Sequence, residues 1–182
     1  MGRRISVIGT SGVGKTHLAR KLGGTLGLPV IELDAINWQA GWRDLNSHDP
    51  TGFRDRVREA VSADSWVCDG NYHLVQPLVL ARATHLVWLD YERPVIMARV
   101  ISRTLSRLLL STELWAGKIR WAWTTWERRR RETAERLARS EYAQLVVLRL
   151  RRPGEVPRAI ACLAKAAPMQ TSAREARSSA PF

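Results

Sequence analysis

The chain has little cysteine, few acidic residues and no long apolar run. Its two cysteines, Cys68 and Cys162, stand far apart with no ligand-like spacing, which excludes a disulfide framework and a cysteine metal cluster. No stretch approaches the roughly 18 consecutive apolar residues of a membrane helix, so no membrane partner is expected. A strand-like run begins within the first few residues, which leaves no space for a secretory leader and makes the cytoplasm the expected compartment. Acidic residues number 17 against 29 Lys plus Arg, a formal net charge of +12. Most of that excess follows residue 90, so one half of the chain is set up to attract polyanions. Phe and Tyr are scarce, at two and three residues, while Trp occurs eight times. The four histidines, at 17, 48, 73 and 85, are scattered and none is assigned a catalytic role.

What is present begins with "GTSGVGKT", Gly9 to Thr16, which matches G-x-x-x-x-G-K-[ST]. Glycines at 9, 12 and 14 let the backbone turn tightly and bring N–H groups against phosphate oxygens. Lys15 offers a full charge to β- and γ-phosphates, and Thr16 a hydroxyl to Mg²⁺. The context fits: "RRISVIG" is a β-branched apolar run leading into the loop, and Leu18, Leu22 and Leu26 recur four apart after it. The helix N-terminus thus faces the same anion. The expected nucleotide-holding segment is Gly9, Thr10, Ser11, Gly12, Val13, Gly14, Lys15, Thr16 and His17.

The remaining chain alternates strands and helices, which predicts an α/β fold with a parallel sheet. "LPVIEL", "SWVCD", "THLVWLD" and "AQLVVLRL" are the further strands, five in all. "DPTGFRDRVREAVSAD" reads as a helix capped by Asp49, with Pro50 at its first position. Long helices are expected over 93–110 and 113–139, and "VPRAIACLAKA" closes the domain. With 45% hydrophobic residues, 1–167 should form one domain with a helical lid-like region near 111–139. The stretch 168–182 is small, polar and aperiodic, the composition of a disordered tail.

Ligands of such sheets lie at the carboxyl ends of strands, so the aspartates there are the candidates. Asp34, in "ELDAINWQAGW", stands where an acceptor hydroxyl could be oriented or deprotonated. Trp38 and Trp42 beyond it fit packing better than ring stacking, because large aromatics are mostly buried. Asp69 ends the third strand and is the candidate metal carboxylate beside Thr16. Gly70 would let the chain approach phosphates closely. Asp90, ending the fourth strand, is the rival for the metal.

Arg99, Arg103 and Arg107 fall four apart on one helical face, opposite Ile101, Leu105 and Leu108. Arginine forks suit a migrating phosphoryl group, and a solvated amphipathic face accounts for the spacing equally well. In the next helix Trp115, Ile119, Trp123, Trp126, Arg130, Ala134 and Leu137 form a stripe, with Trp121 on the other side. Arg128 to Arg131 run round that helix, so at most two can face one site.

Together these motifs resemble a family of small bacterial P-loop kinases described as adenylate kinase-related or as DNA topology modulation proteins. The resemblance covers about residues 3–165 and rests on "GTSGVGKT", "LPVIELDAINWQAGW", "WVCDGNY" and "HLVWLDYERP". It implies a three-layer P-loop NTPase fold of the nucleoside-monophosphate-kinase type, a five-stranded parallel sheet with helices on both faces. It also implies ATP and Mg²⁺ as cofactors, and adenine resting near Arg151 to Pro153. Two departures stand out: Asp69-Gly70-Asn71-Tyr72-His73 replaces the D-G-F-P-R of adenylate kinases, and Ala40 replaces the proline of W-x-P-G-W. The region after residue 110 also lacks the glycines and zinc cysteines of an adenylate-kinase lid.

The expected activity is therefore transfer of the γ-phosphoryl group of Mg-ATP to a small-molecule or nucleotide acceptor. Lys15, Asp34, Arg99 and Arg103 are the expected catalytic residues, and Thr16 and Asp69 the metal ligands. The alternative is an ATP-binding, nucleic-acid-associated protein that lays its basic half along a phosphate backbone.

Overall fold

The computed structural model describes residues 2–108 and 116–165, with the side chains of residues 100, 102–123 and 125 outside the description. The expected disordered tail at 168–182, Trp115, and the side chains of Arg103, Arg107, Trp121 and Trp123 thus lie outside the described residues.

In chain order, β1 (Arg4–Gly9) leads into α1 (Lys15–Leu26) and then β2 (Val30–Glu32). A short excursion follows: α2 (Leu33–Asn37), β3 (Trp38–Gln39), β4 (Arg43–Asp44) and α3 (Leu45–His48). Then come α4 (Pro50–Ala60), β5 (Trp66–Asp69), α5 (Gln76–Arg82) and β6 (His85–Leu89). The chain continues through α6 (Arg93–Leu108), α7 (Ala116–Leu137), β7 (Val146–Leu150) and α8 (Val156–Lys165).

The five long-range strands make one sheet in the order β2-β5-β1-β6-β7, every pairing parallel. β1 is central, with Ile5 opposite both Val67 and His85. Strands buried on both faces read as continuous apolar runs rather than alternations; "LVWL" is such a run, and "ISVI" is broken only by the buried Ser6. β3 and β4 form a separate antiparallel hairpin.

Helices cover both faces of the sheet. On one side Ile5, Val7 and Val87 pack with Leu18 and Leu22 of α1 and with Ile160 and Leu163 of α8. On the other, Ile8, Cys68 and Leu86 pack with Phe53 and Val57 of α4 and Leu80 of α5. Trp66 is fully buried, and its indole N–H donates to the Val61 carbonyl at 3.2 Å. Truncating a residue of this kind to alanine costs about 3–5 kcal/mol.

Capping follows the sequence at α4. Asp49 accepts the Gly52 N–H at 2.9 Å, and Pro50 sits at the first position, where its missing donor has no cost. Other details depart from expectation. β2 keeps only three residues of "LPVIEL", because the chain turns into α2 at Leu33. α5 has no counterpart in the sequence reading, since seven residues opening on Gln76-Pro77 carry too little periodicity to register.

Candidate functional site

The centre of the site is built locally. The turn after β1 passes through glycines that no other residue could replace without strain. Gly9 has φ 154°, and a Cβ there would meet the Leu89 carbonyl oxygen at 2.8 Å. Gly14 has φ 101°, ends the loop as the residue before α1, and supplies no side-chain cap. The N-terminus of α1 therefore keeps donors directed at the loop, with no acidic side chain in its first turn to compete for them. Lys15 folds back over the loop and its Nζ donates to the Thr10 carbonyl at 3.2 Å.

Parallel pairing of β1 with β5 brings Asp69 beside this loop. The Thr16 hydroxyl donates to Asp69 Oδ2 at 2.5 Å, and Asp69 Oδ1 is buried with no hydrogen-bond partner. Burial pushes the Asp69 carboxyl above the usual range, against the opposing pull of the Thr16 hydroxyl and the Lys15 charge. A hydroxyl and a half-satisfied buried carboxylate side by side are hard oxygen donors, the set that suits Mg²⁺. Among the described residues no group of three or more His, Cys, Asp or Glu could hold a metal by itself. This carboxylate and hydroxyl fit Mg²⁺, which they would hold together with oxygens of a polyphosphate.

Two open cavities meet at the loop. The first, about 720 Å³, is lined by Ser11 to Leu18, with Asp34, Tyr91 and Arg99, and by Pro153, Val156 and Pro157. His17 and Ser11 border it, while Arg151 does not; the Arg151 backbone N–H is engaged by Glu155 at 2.7 Å. Thr10 lines a smaller recess, and its buried hydroxyl oxygen has no partner. Arg99 approaches from α6, its Nη1 donating to the Val13 carbonyl at 2.6 Å and its guanidinium lying 5.1 Å from the Tyr91 ring centre.

The second cavity, about 400 Å³, shares Ser11, Lys15, Thr16 and Asp34 with the first and extends along Asp69 to Leu74, with Asn46 and Arg129. Here Asp34 does not cap its helix: the residue before α2 is Glu32, with no side-chain cap bond. The exposed Asp34 carboxylate instead accepts the Tyr72 hydroxyl at 2.6 Å. Burial and Asp34 together hold the Tyr72 phenol well above its ordinary value, so it stays a donor at any physiological pH.

Several residues sit differently from their sequence reading. Gly70 is explained by packing, because a Cβ there would strike the Leu33 side chain at 2.7 Å. Asp90 is occupied: Arg149 Nη2 approaches its Oδ2 at 2.6 Å and Arg130 Nε its Oδ1 at 2.9 Å. A buried carboxylate held by two guanidiniums ties α7 to the sheet and is committed to that role. Trp38 and Trp42 are not packing residues; they are 45% and 84% exposed. Trp126 does pack inward, its indole N–H donating to the Tyr91 carbonyl at 3.2 Å.

Sequence reasoning missed Tyr72 and Asn46, whereas Arg129 belongs to the arginine run 128–131 already singled out, and it is the member that lines this cavity. Tyr72 stands three residues past Asp69, in a stretch where the family resemblance points to an arginine and gives no reason to expect a phenol. Asn46 carries no signal of its own, since only tertiary folding brings it to the cavity.

No family model matches the chain and no curated protein matches its sequence. Solved structures match in shape. Shikimate kinase from Bacteroides thetaiotaomicron superposes with TM-score 0.55 at 18% identity, covering 88% of this chain and 96% of that one. Deoxyadenosine kinase from M. mycoides gives 0.54 at 12% identity, with 87% and 95% covered. Gluconokinase from Sinorhizobium meliloti 1021 gives 0.53 at 19%, with 90% and 93% covered. The fold is that of small P-loop kinases. At these identities the likeness speaks for the fold alone, and none of the three carries the DNA topology label. No described helix is long and apolar enough to cross a membrane.

Proposed function

We propose that the chain is an Mg-ATP-dependent phosphotransferase acting on a small-molecule or nucleotide acceptor. The observation that carries this reading is the Thr16–Asp69 pair at 2.5 Å, with its second carboxylate oxygen unpartnered, facing Asp34 across cavities that share the loop. The kinases of like fold support it from outside the sequence.

When bound, Mg-ATP would supply the γ-phosphoryl group, its bond to the bridging oxygen giving way to a new P–O bond on the acceptor, an ester for a hydroxyl acceptor and an anhydride for a phosphate. The chain provides position and charge. Backbone N–H groups of residues 12–16 hold the polyphosphate, and Thr16 and Asp69 hold the metal. Lys15 and Arg99 place positive charge where negative charge develops. Arg103 joins them in this proposal from the same helix. Asp34 receives the proton of the acceptor hydroxyl, with Tyr72 fixing which carboxylate oxygen is left to do so.

Titration of Mg-ATP by calorimetry, with ATP turnover over an acceptor panel, tests the reading. Wild type should bind, and Lys15→Ala should lose about 10²–10³-fold in turnover with its circular dichroism unchanged. Equal turnover by a folded Lys15→Ala protein would refute the proposal.

A further inference from the structure

Asn37 is a polar side chain only 1% exposed, at the end of α2, the helix that carries Asp34. It borders neither cavity at the loop, and the transfer proposed above does not use it. Buried amides are kept only where their donors and acceptor are met.

The oxygen of this amide is fixed by the hairpin. The Asn46 backbone N–H lies 2.8 Å from Asn37 Oδ1 and 3.0 Å from Asp44 Oδ1. A backbone N–H can only donate, so the amide atom that meets it is the oxygen. The NH₂ end then has two protons to give, and two neighbours feel it as a donor. The Ser47 hydroxyl and then the Asn37 amide hold the Asp44 carboxyl below its ordinary value. Burial and the Asp34 carboxylate raise the Tyr72 phenol, and Asn37 works against them, as a donor to the phenol oxygen does.

Tyr72 is held along its whole length. Its carbonyl accepts the N–H groups of Val75 at 3.2 Å and Gln76 at 2.9 Å. Its ring meets buried Phe53 edge to face, with centres 5.2 Å apart, and its hydroxyl reaches Asp34 Oδ1 at 2.6 Å. Asp34 and Asn37, three residues apart on α2, share one face of that helix. A phenol has one proton, which it can aim to either side in the ring plane. With the Asn37 N–H on one side, the proton is left the side of Asp34.

We infer that Asn37 is a positioning residue for the acceptor base. Resting on the kinase reading above, it donates to the Tyr72 oxygen, directs the phenolic proton to Asp34 Oδ1, and so leaves Oδ2 to the acceptor. Asn37 moves no proton itself and touches no substrate. The same amide seats the hairpin, because Asp44 pairs with Trp38 and Asn46 borders the acceptor cavity. One buried side chain thus sets both the base and the segment that returns to the cavity after it.

A double-mutant cycle tests this. Turnover of Mg-ATP is read with water as acceptor, and with any compound of the panel that wild type phosphorylates. Asn37→Leu keeps the volume, removes the donor, and leaves the Asn46 N–H its bond to Asp44. It should lower kcat roughly three- to tenfold with the calorimetric ATP affinity unchanged. Tyr72→Phe should lower it about tenfold. Adding Asn37→Leu to Tyr72→Phe should then change nothing, since no phenolic proton is left to aim. Asn37→Asp keeps an oxygen for Asn46 but sets an acceptor where the donor stood, so it should be at least as slow as Asn37→Leu. A role in the hairpin alone predicts the reverse order, because only leucine gives up the bond to Asn46. Either variant with wild-type circular dichroism suffices for the cycle. Losses that multiply in the double variant, a kcat equal to wild type, or a leucine variant slower than the aspartate one would each overturn the inference. Unfolding of both variants would assign Asn37 to the fold alone and overturn it too. Wild type that binds no Mg-ATP, or never turns it over, would overturn the kinase reading itself, and this inference with it.

Discussion

The two halves of the proposed kinase site, one for the phosphate donor and one for the acceptor, are built in opposite ways. The phosphate half is nine consecutive residues, Gly9 to His17, with Asp69 and Arg99 brought to it. The acceptor half draws on four separated segments: Asp34 on α2, Asn46 on α3, the loop after β5, and Arg129 on α7. A polyphosphate is recognised mainly by backbone N–H groups, so its site can be written as one short motif. An acceptor is recognised by side chains placed around it, so its site is as dispersed as the fold allows. A change in the first half should abolish donor binding, while a change in the second should leave the donor bound and idle.

Asp34→Asn is the sharpest way to break that contrast. It should lower transfer by about 10²–10⁴-fold, the worth of a positioned acid–base group, with the calorimetric ATP affinity unchanged. Parallel losses of ATP affinity and turnover would merge the two halves into one. Tyr72→Phe should act in the same direction but about tenfold, since it removes one charge-assisted hydrogen bond and leaves the carboxylate in place. A kcat equal to wild type would take Tyr72 out of the mechanism.

The next effect is on stability. Asp90→Asn leaves Arg130 and Arg149 beside a neutral amide and should cost about 2–3 kcal/mol, below the range for fully buried pairs because both arginines remain about one-third exposed. The urea midpoint reads this directly, and an unchanged midpoint would mean that α7 is held by Trp126 packing alone. Since Arg129 adjoins Arg130 on α7, acceptor turnover should fall in the same variant while ATP affinity stays.

The smallest effect concerns His73, at the outer edge of the acceptor half. Burial, then the guanidiniums of Arg136 and Arg129, hold its imidazole below the ordinary 6.5. Arg136 Nη2 donates to His73 Nδ1 at 3.0 Å, a bond that the protonated ring could not accept. As pH falls through 6.5 the unfolded imidazole takes its proton before the folded one does. Folding therefore loses stability from that point down to the folded value and then levels off. Arg136→Ala should move the NMR-titrated pKa of His73 upward and flatten this slope. A downward movement would contradict the assignment of the charges.

The phosphate half was readable because its requirements are local. Glycines, one lysine and one hydroxyl at fixed spacing need only a strand before and a helix after, and both flanks carry their own periodicity. The central parallel strands were readable for the same reason, as apolar runs at β1, β5 and β6, while β7 at the sheet edge showed itself by its β-branched start. Asp49 and Pro50 announced the start of α4. The acceptor half was legible only at Asp34, because strand ends are where such a fold presents its chemistry.

What the sequence determined by itself was the class of fold and a phosphate loop, since both rest on neighbour-to-neighbour patterns. Tertiary structure decided the rest. It set Thr16 against Asp69 through the pairing of β1 with β5, across more than fifty residues of chain. It committed Asp90 to two arginines, one of them from β7, which no spacing rule could foresee. And it left Trp38 and Trp42 in solvent, against the ordinary tendency of indoles to be buried. A hydrophobic side chain is buried only if the fold brings a surface to cover it, and the anchored hairpin holds these two away from any.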